Sequence, residues 1–221
     1  MIEARAVEAR AVEARAVEAR AVEALAVEVR APVASFRNPL YAGVQVGLPC
    51  PPPATVGGML AAVAGGWDRV PDELRFAMVF SAAGEGIDLE TYHPLDASGA
   101  KALPTPKDRP FLAEVSLWIW LVDDLRRWER ALRRPVWPLR LGRSQDLATA
   151  RARRVRLAPG AGRQGYALVP AQLTSAGTLL QLPTAVSHDR SRARWHPYRY
   201  HRGGSQAELP EGWVSEDGQA V

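Results

Sequence analysis

Arg140, Arg143, Ser144 and Gln145 stand around one glycine in the stretch WPLRLGRSQDL, residues 137–147. A glycine turn lets backbone approach a phosphate, while guanidinium, hydroxyl and amide groups can hydrogen-bond phosphate, sugar or base edge. On an ordinary turn the same residues would be no more than solvated surface charges. They lie in the most basic part of the chain. From Arg126 to Arg163 twelve arginines face only Glu129 and Asp146, a local net of +10 in a chain whose formal net is +4. A segment of this kind attracts phosphate polyanions. Arg126, Arg130 and Arg133 extend it along a helix expected over 123–134, although solvated arginine faces are common on helices. Of the 28 basic residues only Lys101 and Lys107 are lysine; arginine is the planar, bidentate phosphate donor of the two.

A second cluster, SHDRSRARWHPYRYHRG (187–203), interleaves five arginines with three histidines, one tryptophan and two tyrosines. Arg194 and Arg199 are its candidate nucleic-acid contacts, and alternation over 193–201 fits a half-buried edge strand equally well. His188, His196 and His201 have no cysteine partners and poor carboxylate spacing, so neither a metal site nor any cofactor is expected. Trp118 and Trp120 resemble in spacing the aromatics that stack bases on a sheet, but the expectation here is that they pack beneath a helix or second sheet. Metal-independent RNA cleavage would need a base such as Tyr92 or His93 and a cation such as Lys101 or Lys107. The amide groups at the helix start near Thr55 could donate to a phosphate.

These side chains need elements to hold them. At 221 residues and 47% apolar content the chain can bury a real core. It has no run of the ~20 uncharged apolar residues a membrane span requires and one cysteine, Cys50, so a cytoplasmic protein with no membrane partner and no disulfide framework is expected. Residues 2–31 repeat a five-residue unit, IEARA, VEARA, VEALA and VEVRA. Each step of five turns a helix by about 140° and flips a strand's faces, so no apolar stripe forms; residues 1–23 are read as an exposed marginal helix or a disordered extension. Alternation predicts a first strand over 24–36. A helix over 54–66 enters after prolines and leaves through glycines. A strand over 74–80 follows, then a long loop or extended hairpin over 84–110. The strand 111–122 is expected to turn Phe111, Ala113, Val115, Leu117, Ile119 and Leu121 to the core. After the helix at 123–134, with acids in its first turn, come strands at 149–157, 165–170, 177–182 and 193–201. The order predicts an α+β fold with a ferredoxin-like (RRM-like) βαββαβ palm at 24–147, a β-rich part at 148–203 and a polar tail at 204–221.

Two segments carry a family resemblance. SFRNP...VQVGLPCPPPATVGGML (35–60) resembles the opening of the CRISPR-associated protein 5 family, and WPLRLGRSQDL resembles its second, basic signature. The resemblance spans about residues 24–202; the repeat has no counterpart in it. It implies a palm with an inserted β-hairpin thumb, here at 84–110, in a non-catalytic subunit of a type I Cascade effector complex. That subunit binds the 5′ handle of the guide RNA, caps the guide-bound filament and docks the large subunit for antiviral DNA targeting. Its partners would be guide RNA, the Cascade backbone subunit, the large subunit and target DNA. Residue by residue, it implies Arg37 near the handle phosphates, with Tyr41 and Gln45 as base contacts. A minority of the family cleave precursor guide RNA, but their arrangement is not seen in the spacing around Tyr92 and His93. A precursor-guide endoribonuclease and a free-standing RNA-binding module are the two alternatives.

Overall fold

A computed structural model of the chain describes residues 21–41, 45–71, 74–93, 103–187, 189 and 191–221. The expectations for the repeat at 1–20, for Lys101 and for His188 lie outside these residues. Strand β1 (Val22–Ala34) is followed by helix α1 (Pro53–Ala64), β2 (Phe76–Tyr92), β3 (Thr105–Leu121), helix α2 (Leu125–Arg133) and β4 (Thr149–Pro159). Short strands complete the chain: β5 (Gly162–Gly165), β6 (Val169–Pro170), β7 (Thr178–Val186), β8 (Ala193–Tyr200), β9 (Ser205–Leu209) and β10 (Trp213–Val214). The main sheet runs β10-β4-β1-β3-β2, with every neighbouring pair antiparallel. A ribbon β6-β8-β7 and a pair β5-β9 form the rest. The molecule is sheet-dominated, with two helices of any length among the described residues.

Alternation in β1 and β3 explains the core. Leu25, Val27 and Val29 lie opposite Leu121, Ile119 and Leu117, and all six are buried with Val56, Leu60 and Val63 of α1 and Trp128 and Leu132 of α2. Both helices therefore cover one face of the sheet. Helix α1 starts with Pro53 and stops at Gly65, whose φ of 100° is the left-handed C-terminal conformation that glycine takes without strain. Tyr200 of β8 closes the bottom of this core and donates from its hydroxyl to Phe80 O at 2.9 Å.

Four expectations need correction. In the outer part of β3 the buried residue is Leu112, while Phe111 and Ala113 are half-buried. Between Leu112 and Val115 lies Glu114, at a φ of 48°, and the pleat there departs from regular alternation. Helix α2 begins at Leu125, with no acid in its first turn. Asp124, in a left-handed conformation with a φ of 47°, bounds the helix, and Asp123 lies outside it, its carboxylate taking two bonds from Arg75 at 2.8 and 3.0 Å. The segment read as a polar tail folds back on the domain: β10 pairs with the end of β4, and Gln219 and Ala220 are buried. β1 starts at Val22, so the last residues assigned to the extension belong to the sheet. The 84–110 segment takes the hairpin form of its two readings, with β2 and β3 paired from Phe76–Leu121 out to Tyr92–Thr105. No helix among the described residues is long and apolar enough to cross a membrane.

Candidate nucleic-acid interface

The chain leaves β1 through Ser35, Phe36 and Arg37 and returns at 45–48. The Asn38 amide donates to Val46 O at 2.8 Å and the Leu48 amide to Phe36 O at 2.7 Å. Arg37 is exposed and its Nη2 donates to Tyr41 O at 3.0 Å, so the guanidinium curls over the loop it opens. Tyr41 is 49% exposed, its side chain open to solvent. Gln45 is half-buried, and its Oε1 accepts from Arg109 at 3.0 Å.

Against this loop packs the second signature. Leu139 and Leu141 are buried anchors, and Arg140 bridges to Leu147 across the turn. Gly142 has a φ of 106°, and a Cβ on it would lie 2.6 Å from Ser35 O. No other residue type tolerates both the dihedral and the approach. Two segments a hundred positions apart in sequence thus meet backbone to backbone. Arg140, Ser144 and Gln145 are exposed at the rim of this joint, where the Ser144 hydroxyl donates to Gln145 Oε1 at 3.5 Å.

Arg143 is different. Its side chain is 9% exposed and that of Asp146 is 3% exposed. The Arg143 amide and Nε donate to the Asp146 carboxylate at 3.1 Å, and its Nη1 donates to Asp88 of the hairpin at 3.1 Å. The hydrogen bond with Asp146 is the main cause holding the Arg143 pKa above its ordinary value, against burial. This guanidinium ties the turn to β2. Beside it, Arg109 of β3 donates from Nε to Ser35 Oγ at 2.8 Å and from Nη1 to Glu90 Oε2 at 3.3 Å. Ser35 Oγ in turn donates to Pro110 O. Burial lowers the Arg109 pKa, Glu90 opposes that, and the nearby charges of Arg143 and Arg37 add to the lowering. Three arginines and three carboxylates are therefore gathered where the strand exit, the glycine turn and the hairpin base converge.

Arg109, Ser35, Asp88 and Glu90 escaped the sequence reading. The signal was present: once 84–110 is folded as a hairpin, Asp88 falls opposite Arg109 and Glu90 opposite Lys107, a cross-strand pattern of opposite charges. The other candidates lie on other parts of the fold. Thr55 sits in the first turn of α1, where its amide donates to Pro52 O at 2.9 Å. Arg126, Arg130 and Arg133 are exposed on α2. Arg194 is exposed on β8, whereas Arg199 is half-buried and donates from Nη1 to Gly177 O at 2.9 Å. Tyr92 and His93 are at the far end of the hairpin, both exposed. Among the described residues no group of three His, Cys, Asp or Glu side chains could hold a metal ion.

Similarities to known proteins bear on the family and the fold. No curated protein matches the chain. Among solved structures, one described as "CRISPR RNA-guided surveillance complex" is 18% identical, with 85% of this chain and 91% of that chain covered and a TM-score of 0.58; the two share a fold. A CRISPR protein from Archaeoglobus fulgidus is 13% identical over 90% of this chain and 98% of its own, with a TM-score of 0.49. The family model for CRISPR-associated protein (Cas_Cas5) matches residues 24–211 and so takes in the strand exit, the hairpin and the glycine turn alike. With that span matched, the chain belongs to the CRISPR-associated protein (Cas_Cas5) family.

Proposed function

We propose that this chain is the non-catalytic subunit of a type I CRISPR surveillance complex that holds the 5′ handle of the guide RNA. The observation that carries this reading is the joint between Gly142 and Ser35, which brings the two signature segments into one surface. On that surface Arg37, Arg140, Ser144 and Gln145 are the contacts to phosphate and sugar, and Tyr41 stacks on a base. Arg143, Arg109 and Gln45 hold the contacts in place. The division follows from burial: Arg37, Tyr41, Arg140, Ser144 and Gln145 are exposed, whereas Arg143, Arg109 and Gln45 are half-buried and bonded to carboxylates, to Ser35 or to each other.

The strand order β4-β1-β3-β2 with helices between β1 and β2 and between β3 and β4 supports a ferredoxin-like palm, and the β2–β3 hairpin supports a thumb. Ile87 and Leu89, each 70% exposed, and Leu103, 85% exposed, lie on the hairpin arms or at its turn. Apolar side chains so placed suit a protein partner, here the backbone subunit stacked along the guide. The palm then caps the filament and abuts the large subunit that engages target DNA.

Co-expression with the neighbouring genes tests the reading. The expected result is co-purification with a backbone subunit and RNA whose 5′ ends are uniform. Purification of the chain alone, or with RNA of scattered ends, contradicts it. Incubation with precursor guide RNA in EDTA should leave the RNA intact; a cut at the handle boundary would assign the cleaving role instead.

A further inference from the structure

The sheet's second face is built unlike its first. Trp118 and Trp120 point there, away from both helices, with ring centroids 6.2 Å apart and 25° between their planes. Trp120 is buried against Ala24, Ala26 and Leu157, while Trp118 is only half-buried. Register fixes their neighbours: Arg153, Ala26 and Trp120 form one row across the sheet, and Arg151, Glu28 and Trp118 the next. Because Ala26 is small, the indoles and Arg153 border an open cavity of about 380 Å³, closed on the far side by Tyr166, Glu216 and Asp217. Among the described residues the outer edge of β4 beside Arg151 and Arg153 is unpaired, since β10 meets β4 only at Ala158 and Pro159.

Free positive charge lines the β4 side of this face. Arg151 and Arg153 are exposed and make no ion pair or side-chain hydrogen bond among the described residues. Their neighbour Arg154 is held by Glu23 and Glu129, and Glu28 is taken by Arg30. Stacked indoles beside two uncommitted guanidiniums match a planar base with a phosphate on either side. Glu216 and Asp217 repel phosphate from the inner wall, which leaves the cavity to the base and the β4 edge to the backbone.

We infer that this face is a second nucleic-acid site, which takes single-stranded RNA or DNA by stacking a base on Trp118 and seating the adjoining phosphates on Arg151 and Arg153. None of its residues belongs to the joint between Ser35 and Gly142, so the two sites stand or fall separately. The site needs no 2′-hydroxyl and reads no sequence, because every base has a stacking face.

The test uses the full chain with the octamers rU8 and dT8. Their affinities are measured by fluorescence polarisation, and an octamer carrying 5-iodouracil is photocross-linked and mapped by mass spectrometry. The cross-link is expected on the peptide containing Trp118 and Trp120, and to persist in R37A/R140A. W118A should weaken both octamers by at least about fivefold, the low end of a lost base stack. R151E/R153E, at exposed edge positions that leave the core intact, should weaken them about tenfold or more and flatten the salt dependence. E216Q/D217N should tighten binding. Absence of that cross-linked peptide, or unchanged affinity in R151E/R153E, overturns the inference, and neither result touches the handle site.

Discussion

Arg140 and Arg143 are three residues apart, yet their substitution should give opposite signatures. Arg143→Ala leaves the buried Asp146 carboxylate without its guanidinium, so a loss of about 3 kcal/mol in urea unfolding is expected. Arg140→Ala removes an exposed charge and should change stability by no more than about 0.5 kcal/mol, while weakening handle RNA. An unfolding midpoint unmoved in Arg143→Ala would contradict its positioning role. Cys50 is the second residue with a sharp expectation. Burial pushes its thiol well above the ordinary value, so the neutral form is favoured in the fold. The resulting stability is fully present below the unfolded thiol pKa and declines as pH rises from there. Thiol reagents should label Cys50 only after denaturant is added; rapid labelling of the native chain would show that the site is open.

At the scale of elements, alternation and punctuation were legible and twist was not. Val27, Val29, Leu117 and Ile119 announce two buried strands by period alone, and Pro53 and Gly65 mark the ends of α1. The Glu114 dihedral has no such marker, and so alternation alone sets Phe111 and Ala113, rather than Leu112, toward the core. Asp123 likewise looked like a helix-start acid because its partner, Arg75, is 48 positions away. Gly142 is the element-level test. Gly142→Ala must place a methyl within 2.6 Å of the Ser35 carbonyl at a left-handed φ, and a loss exceeding about 1 kcal/mol is expected. It should also weaken handle RNA more than its stability loss explains, since it parts the two signature segments. Wild-type stability in this variant would mean that the joint is not closely packed.

For the molecule as a whole, the sequence marked two signature segments but not that they touch. Contacts such as Arg109 with Ser35 and Gln45 span 64 to 74 positions, and no local pattern carries that information. The repeat works in the other direction: it dominates the sequence by eye, yet it is its last two copies, VEALA and VEVRA, that lie in β1, which is paired along both edges. Removal of residues 2–20 should therefore leave the urea midpoint and RNA affinity as they are, and loss of either would make the repeat a working part. The surface between Arg37 and Arg140 is where we propose that the guide handle is held. The most direct test is the affinity of the purified chain for handle-bearing guide RNA, titrated against salt, beside the same RNA with its handle scrambled. The expected result is tighter binding of the native handle, a log-log salt slope of about −0.7 per neutralised phosphate and a slope reduced by roughly 1 to 2 in R37A/R140A. Equal affinity for both RNAs, or a slope unaltered by that substitution, would contradict it.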